Sequence, residues 1–133
     1  MPSDIAALRV KADTGDANAQ RLLGYYYYTG QGVPKDDAET ALWFRLAADQ
    51  GYADAQANLG FMYGTGRGVP QDDAQAMSWF RKAAEQGHTI AQLNLGAMCF
   101  TGRGVPQDYV ESHKWSNLAA SRASAENQTR YAE

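Results

Sequence analysis

A block of thirteen residues, Gly60-Phe61-Met62-Tyr63-Gly64-Thr65-Gly66-Arg67-Gly68-Val69-Pro70-Gln71-Asp72, has close copies at Gly24 to Asp36 and Gly96 to Asp108, so the chain repeats itself every 36 residues. A fixed interval of this size is the signature of one supersecondary unit stacked on copies of itself. Each copy must then meet nearly the same neighbours.

Laying 16-51, 52-87 and 88-123 over one another shows what is shared. Ala55, Gln56, Leu59, Gly60, Thr65, Gly66, Gly68, Val69, Pro70, Asp72, Trp79, Ala83 and Ala84 recur in both other copies. In the first half of a unit, Ala19, Leu23, Gly24 and Tyr27 stand three and four residues apart, which predicts a helix with one buried face. Gly30 and Gly32 let it stop and reverse, and Pro34 holds Val33 extended. Asp36 then suits an N-cap, with Glu39 completing a capping box, and Asp72 with Gln75 and Asp108 with Glu111 repeat that spacing. Thr40, Trp43, Phe44 and Ala47 give the second helix its buried face, and Gly51 or Gly87 ends it. The expected architecture is all-α, a solenoid of antiparallel helix pairs.

The ends carry partial units. Residues 1-15 correspond to a second helix without its partner, a capping helix. Residues 124-133 align with a first helix and read as a C-terminal cap. Because Ala123 stands where a stop glycine is due, the last helix running on through 123 is the alternative.

Net charge narrows the partners. At −3, with 12 Lys and Arg against 15 Asp and Glu, the chain has no overall attraction to nucleic acid or anionic membranes. Neither is expected as a partner. The single cysteine, Cys99, cannot form an internal disulfide and fits a reducing compartment, and the first residues lack a secretory pattern, so the expected location is cytoplasmic. Two histidines without a cysteine cluster make no zinc site, and no nucleophile has a histidine at a suitable periodic position. The glycine turns follow a helix and precede Val-Pro, unlike phosphate-binding loops. No catalytic residue, cofactor or metal is expected.

Three segments carry a family resemblance: Ala-Asp-Ala-Gln-Ala-Asn-Leu-Gly-Phe-Met-Tyr at 53 to 63, Gly-Arg-Gly-Val-Pro-Gln-Asp at 66 to 72 and Trp-Phe-Arg-Lys-Ala-Ala-Glu-Gln-Gly at 79 to 87. Together they resemble Sel1-like repeats, a branch of the tetratricopeptide-like arrays, across residues 16-123. The resemblance implies a right-handed superhelix that serves as a non-catalytic adaptor or scaffold. Some secreted relatives with paired cysteines are linked to β-lactams, and this chain lacks those pairs. Cys99 stands where Tyr27 and Tyr63 do, and Ser116 where Phe44 and Phe80 do, so the third unit is expected to pack more loosely.

If the shared residues form the core, the variable stripe of the first helices faces the inner curve. Counting from the core positions, the expected partner-binding residues are Asn18, Arg21, Tyr25 and Tyr28, then Phe61, then Leu93, Ala97 and Phe100, with Asp54, Ala57 and Ile90 on the same stripe. Such a surface suits an apolar or aromatic segment of a partner protein or peptide. The competing reading packs several of these rings between neighbouring first helices. Self-assembly through the end helices is the alternative function. Arg67 and Arg103 share a turn position, where they would solvate the loop or form a weak basic ridge.

Overall fold

The computed structural model describes residues 2–132, with side chains described for 4–125. Seven helices make up the described chain: α1 (Pro2–Asp13), α2 (Ala17–Thr29), α3 (Asp37–Asp49), α4 (Ala53–Thr65), α5 (Asp73–Glu85), α6 (Thr89–Thr101) and α7 (Tyr109–Ala132). There is no strand among the described residues. Each helix packs mainly on the next, which makes the fold an all-α solenoid.

The hairpins form as the shared residues require. Asp36 Oδ1 accepts from the amides of Ala38 and Glu39 and so starts α3. At the other end of the turn Gly66 and Gly68 both have φ of 75°, and a Cβ on Gly68 would lie 2.1 Å from the Asp37 carbonyl oxygen of the preceding repeat. Only glycine can take that backbone and that approach. Within repeat 2, α4 and α5 meet where Gly60 leaves room for the Phe80 ring, which a Cβ would touch at 3.0 Å.

Three apolar clusters run along the stack, one for each tryptophan. Trp43 joins Ala12, Ala19 and Leu23; Trp79 joins Phe44, Ala47, Leu59 and Met62; Trp115 joins Phe80, Ala83, Leu95 and Met98. Each indole thus reaches the first helix of its own unit and the second helix of the unit before. The surroundings are alike, as an array demands.

A chain of side-chain amides, buried at Gln20 and Gln56 and exposed at Gln50 and Gln86, adds direction to this packing. Gln56 Nε2 donates to Ala48 O at 3.3 Å, and Gln86 Nε2 donates to both Gln56 Oε1 at 2.8 Å and Gly51 O at 3.0 Å. Gln20 and Gln50 repeat the pattern one unit earlier. These bonds satisfy carbonyls at the helix ends and fix the offset between units.

Two local expectations change. Glu39 does not close a capping box: the Asp36 amide donates to Tyr27 O, and Glu39 Oε2 accepts from Trp43 Nε1 at 3.1 Å. Glu111 and Trp115 do the same at 3.2 Å. Arg67 and Arg103 are neither loop solvent nor a basic ridge. Arg67 Nη2 lies 3.0 Å from Asp37 Oδ1 and Arg103 Nη2 lies 2.7 Å from Asp73 Oδ1, so each clasps the repeat before its own. The Asp37 hydrogen bond is the main reason the Arg67 guanidinium holds its proton more tightly than usual.

At the C-terminus the continuous alternative is the one observed. Helix α7 runs from Tyr109 to Ala132 unbroken, and no separate capping helix begins at 124. Without a glycine at 123 nothing stops it.

Candidate protein-docking groove

The first helices α2, α4 and α6 lie side by side, and one face of each looks into a shared channel. Tyr25, Tyr28, Asn58, Phe61 and Met62 line its first part, a hollow of about 160 Å³. Phe61, Gly64, Asn94, Ala97, Met98 and Thr101 line the next, of about 240 Å³. A third hollow, of about 400 Å³, is bounded by Arg21, Asp54, Asn58, Phe61, Ile90 and Asn94. Phe61 borders all three and is 44% exposed, as is Tyr25.

The expected stripe divides on inspection. Tyr25, Phe61 and Ala97 occupy one repeat position and do line the channel. Tyr28 lines it too, but it is also structural: the Arg67 guanidinium sits 4.2 Å above its ring centroid and donates to its hydroxyl at 2.6 Å. Asn18 lies at the rim, where its Oδ1 accepts from the Tyr52 hydroxyl at 2.9 Å. Arg21 stacks 5.9 Å from the Tyr52 ring, and its Nε is enclosed without an acceptor.

Leu93 and Phe100 border none of these hollows. They share repeat positions with Ala57, which is buried in the core between repeats 2 and 3, and Gly64, whose carbonyl accepts from Arg103. Those positions lie where the channel meets the next repeat: Arg21 and Ala57 border the third hollow, Tyr28 the first and Gly64 the second. Leu93 is 51% and Phe100 55% exposed, and Phe100 packs on Tyr109 at 5.2 Å.

Asn58 and Asn94 escaped the sequence reading. They sit one residue beyond Ala57 and Leu93, and one residue is a 100° turn of a helix, enough to carry a side chain from the channel's edge, where Ala57 borders one hollow, to a place where Asn58 and Asn94 each border two. Their signal was a polar residue kept at the same place in two units beside a core leucine. Asn58 Oδ1 is enclosed without a donor.

His88 also has a defined task. Its Nδ1 accepts from the Ala91 amide at 3.1 Å as the N-cap of α6, so Nε2 carries the proton and donates to Asp54 Oδ1 at 3.0 Å. That pair ties the rim of repeat 2 to repeat 3. Among the described residues no three His, Cys, Asp or Glu side chains cluster to hold a metal, and no helix is long and apolar enough to cross a membrane.

Stacked helix pairs around an open, ring-lined channel define an α-solenoid repeat protein. The Sel1 repeat model matches residues 17–52, 53–88 and 89–124, and the chain belongs to the Sel1 repeat family, whose members are generally protein–protein interaction modules. These limits lie one residue downstream of the units drawn from the sequence.

Among solved structures, a protective antigen of uropathogenic Escherichia coli with an SLR fold is 48% identical with a TM-score of 0.87. The match covers 89% of this chain and 25% of that one, so this chain spans about a quarter of its length. A Sel1 repeat protein from Oxalobacter formigenes is 38% identical over 96% of both chains, with a TM-score of 0.83. Helicobacter pylori cysteine rich protein B, at 18% identity, covers 87% of this chain and 88% of its own with a TM-score of 0.69, and shows the fold alone. No curated protein sequence matches the chain.

Proposed function

We propose that this chain is a non-catalytic docking module of the cytoplasm whose channel between α2, α4 and α6 holds a segment of a partner protein. The observation that carries this is the position of Phe61, half-exposed at the meeting of three hollows whose walls join rings with side-chain amides. Partly exposed rings give large contact area at low entropy cost, and Asn58 and Asn94 offer hydrogen bonds to a peptide backbone. The net charge of −3 and the lone cysteine support a protein partner in a reducing compartment over nucleic acid or membrane.

The test is Phe61→Ser with Tyr25→Ser, compared with the parent as bait in quantitative affinity capture from the source cell. Neither side chain belongs to a core cluster, so the melting temperature should change little while the specific partners are lost. Equal capture by the variant and the parent would end this reading. A second reading, self-association, rests on the exposed apolar side chains Leu93, Phe100 and Val110 of repeat 3. Light scattering that stays monomeric over a concentration series would exclude it.

A further inference from the structure

Repeats 1 and 2 each hold a half-buried phenol ring in the same slot. Arg9 donates to the Tyr27 hydroxyl, and Arg45 Nη2 donates to the Tyr63 hydroxyl at 2.5 Å, with each guanidinium also within 6 Å of the ring it caps. The frame around the slot is set by a backbone bond, from Asp36 N to Tyr27 O and from Asp72 N to Tyr63 O, both 2.9 Å. In repeat 3 that frame is unchanged, with Asp108 N donating to Cys99 O at 2.8 Å. The arginine is present as Arg81, and the ring is gone.

The slot has not collapsed. Arg81, Cys99, Val105, Pro106, Gln107, Asp108 and Glu111 surround a hollow of about 210 Å³ that opens to solvent and shares no residue with the docking channel. Its floor is the buried Cys99 side chain, whose thiol is pushed above its usual pKa by burial and so stays neutral and apolar at neutral pH. Its two carboxylates are already engaged: Asp108 caps α7 through the amides of Val110 and Glu111, and Glu111 accepts from Trp115. Arg81 lacks the acceptor that its two counterparts have.

We propose that this slot binds a 4-hydroxyphenyl group, with the ring over Cys99 and against Val105 and Pro106 and the hydroxyl accepting from Arg81. The template for the bound state is the chain itself, twice over. A free phenol and the tyrosine side chain of a partner offer the same chemistry. Both fit a site with one apolar floor and one cationic lid.

The experiment is amide and arginine-side-chain NMR of ¹⁵N-labelled protein titrated with p-cresol, toluene, and the capped peptides acetyl-Gly-Tyr-Gly-amide and acetyl-Gly-Phe-Gly-amide. The expected result is a saturable set of shifts confined to Arg81, Cys99 and 105–111. The hydroxylated probe of each pair should bind about ten-fold more tightly, the worth of one hydrogen bond to a charged donor. Arg81→Gln should erase that ten-fold preference. Cys99→Tyr, which fills the slot with the ring found in repeats 1 and 2, should abolish the shifts and keep a folded spectrum.

Saturation by p-cresol alone assigns the site to a small phenol, and tighter saturation by the tyrosine peptide assigns it to a partner's side chain. The proposal is overturned if no probe gives saturable shifts there, if toluene and the phenylalanine peptide bind as well as their hydroxylated partners, or if Cys99→Tyr responds like the parent.

Discussion

Repeats 2 and 3 are built on one plan and held together differently. In repeat 2 four places are occupied as the plan asks: Phe80 over Gly60, Tyr63 under Arg45, Ala57 beneath the next first helix and Asp73 receiving Arg103. In repeat 3 the same places hold Ser116, Cys99, an exposed Leu93 and Tyr109. What the two have in common is the backbone frame: glycine turns, aspartate caps and a tryptophan on the preceding unit. The lesson is that the frame is specified by a few residues that bond across units, while the filling between them can be changed without moving the chain. Function has room where the filling is missing.

The sharpest way to break the comparison is to remove the tryptophans in turn. Trp79→Ala should cost about 3 to 5 kcal/mol, the range for a buried large aromatic. It lies in the middle of the stack, so the chain should still unfold in one denaturant transition with a lower midpoint. Trp115→Ala removes an equally buried ring at the end, and in a quasi-linear array the end can melt alone. A separate early transition confined to α6 and α7 is expected, and its absence would mean that repeat 3 is as well tied as repeat 2.

Next in size is Gly68→Ala. The backbone there is left-handed and a Cβ would strike the Asp37 carbonyl at 2.1 Å, so strain and overpacking together should cost about 2 to 4 kcal/mol in urea denaturation. A loss under about 0.5 kcal/mol, the level of a surface change, would show that the turn is not seated on the preceding repeat.

The two arginine clasps differ by their surroundings and should differ in worth. Arg67 stacks on Tyr28 as well as pairing with Asp37, and its side chain is 29% exposed. Arg103 has only Asp73 and a backbone carbonyl and is 52% exposed. Arg67→Ala should therefore cost about 1 kcal/mol and Arg103→Ala a few tenths, since an open pair is screened by water and salt. Equal losses, or the reverse order, would assign no role to the tyrosine.

Much of this was legible before any coordinates, for a physical reason. Interval, turns and caps are read from residue types with narrow conformational needs, and Gly66, Gly68, Pro70 and Asp72 have the narrowest. The inner stripe was half legible, because the period of 3.6 tells which residues share a face but not which of two adjacent faces meets the next repeat. Hence Tyr25, Tyr28, Phe61 and Ala97 border the hollows, Leu93 and Phe100 do not although their counterparts in other repeats do, and Asn58 and Asn94 were passed over. The clasps of Arg67 and Arg103 were invisible because their partners lie 30 residues back, and nothing local marks Asp37 or Asp73 as a receptor.

The smallest effect tests a place where repeat 2 is the deviant copy. Trp43 and Trp115 each donate their indole N–H to a glutamate four residues earlier, whereas Trp79 has Gln75 there and its Nε1 is enclosed without an acceptor. Gln75→Glu supplies a charged acceptor at the first turn of α5, where negative charge also suits the helix N-terminus. The gain should be about 0.5 to 1.5 kcal/mol, read as a rise in melting temperature. A double-mutant cycle with Trp79→Phe separates the causes: the indole share must vanish in the phenylalanine background, and the dipole share must persist. If the whole gain persists, the pairing seen in the outer repeats contributes nothing to stability, and the glutamates there serve the helix ends alone.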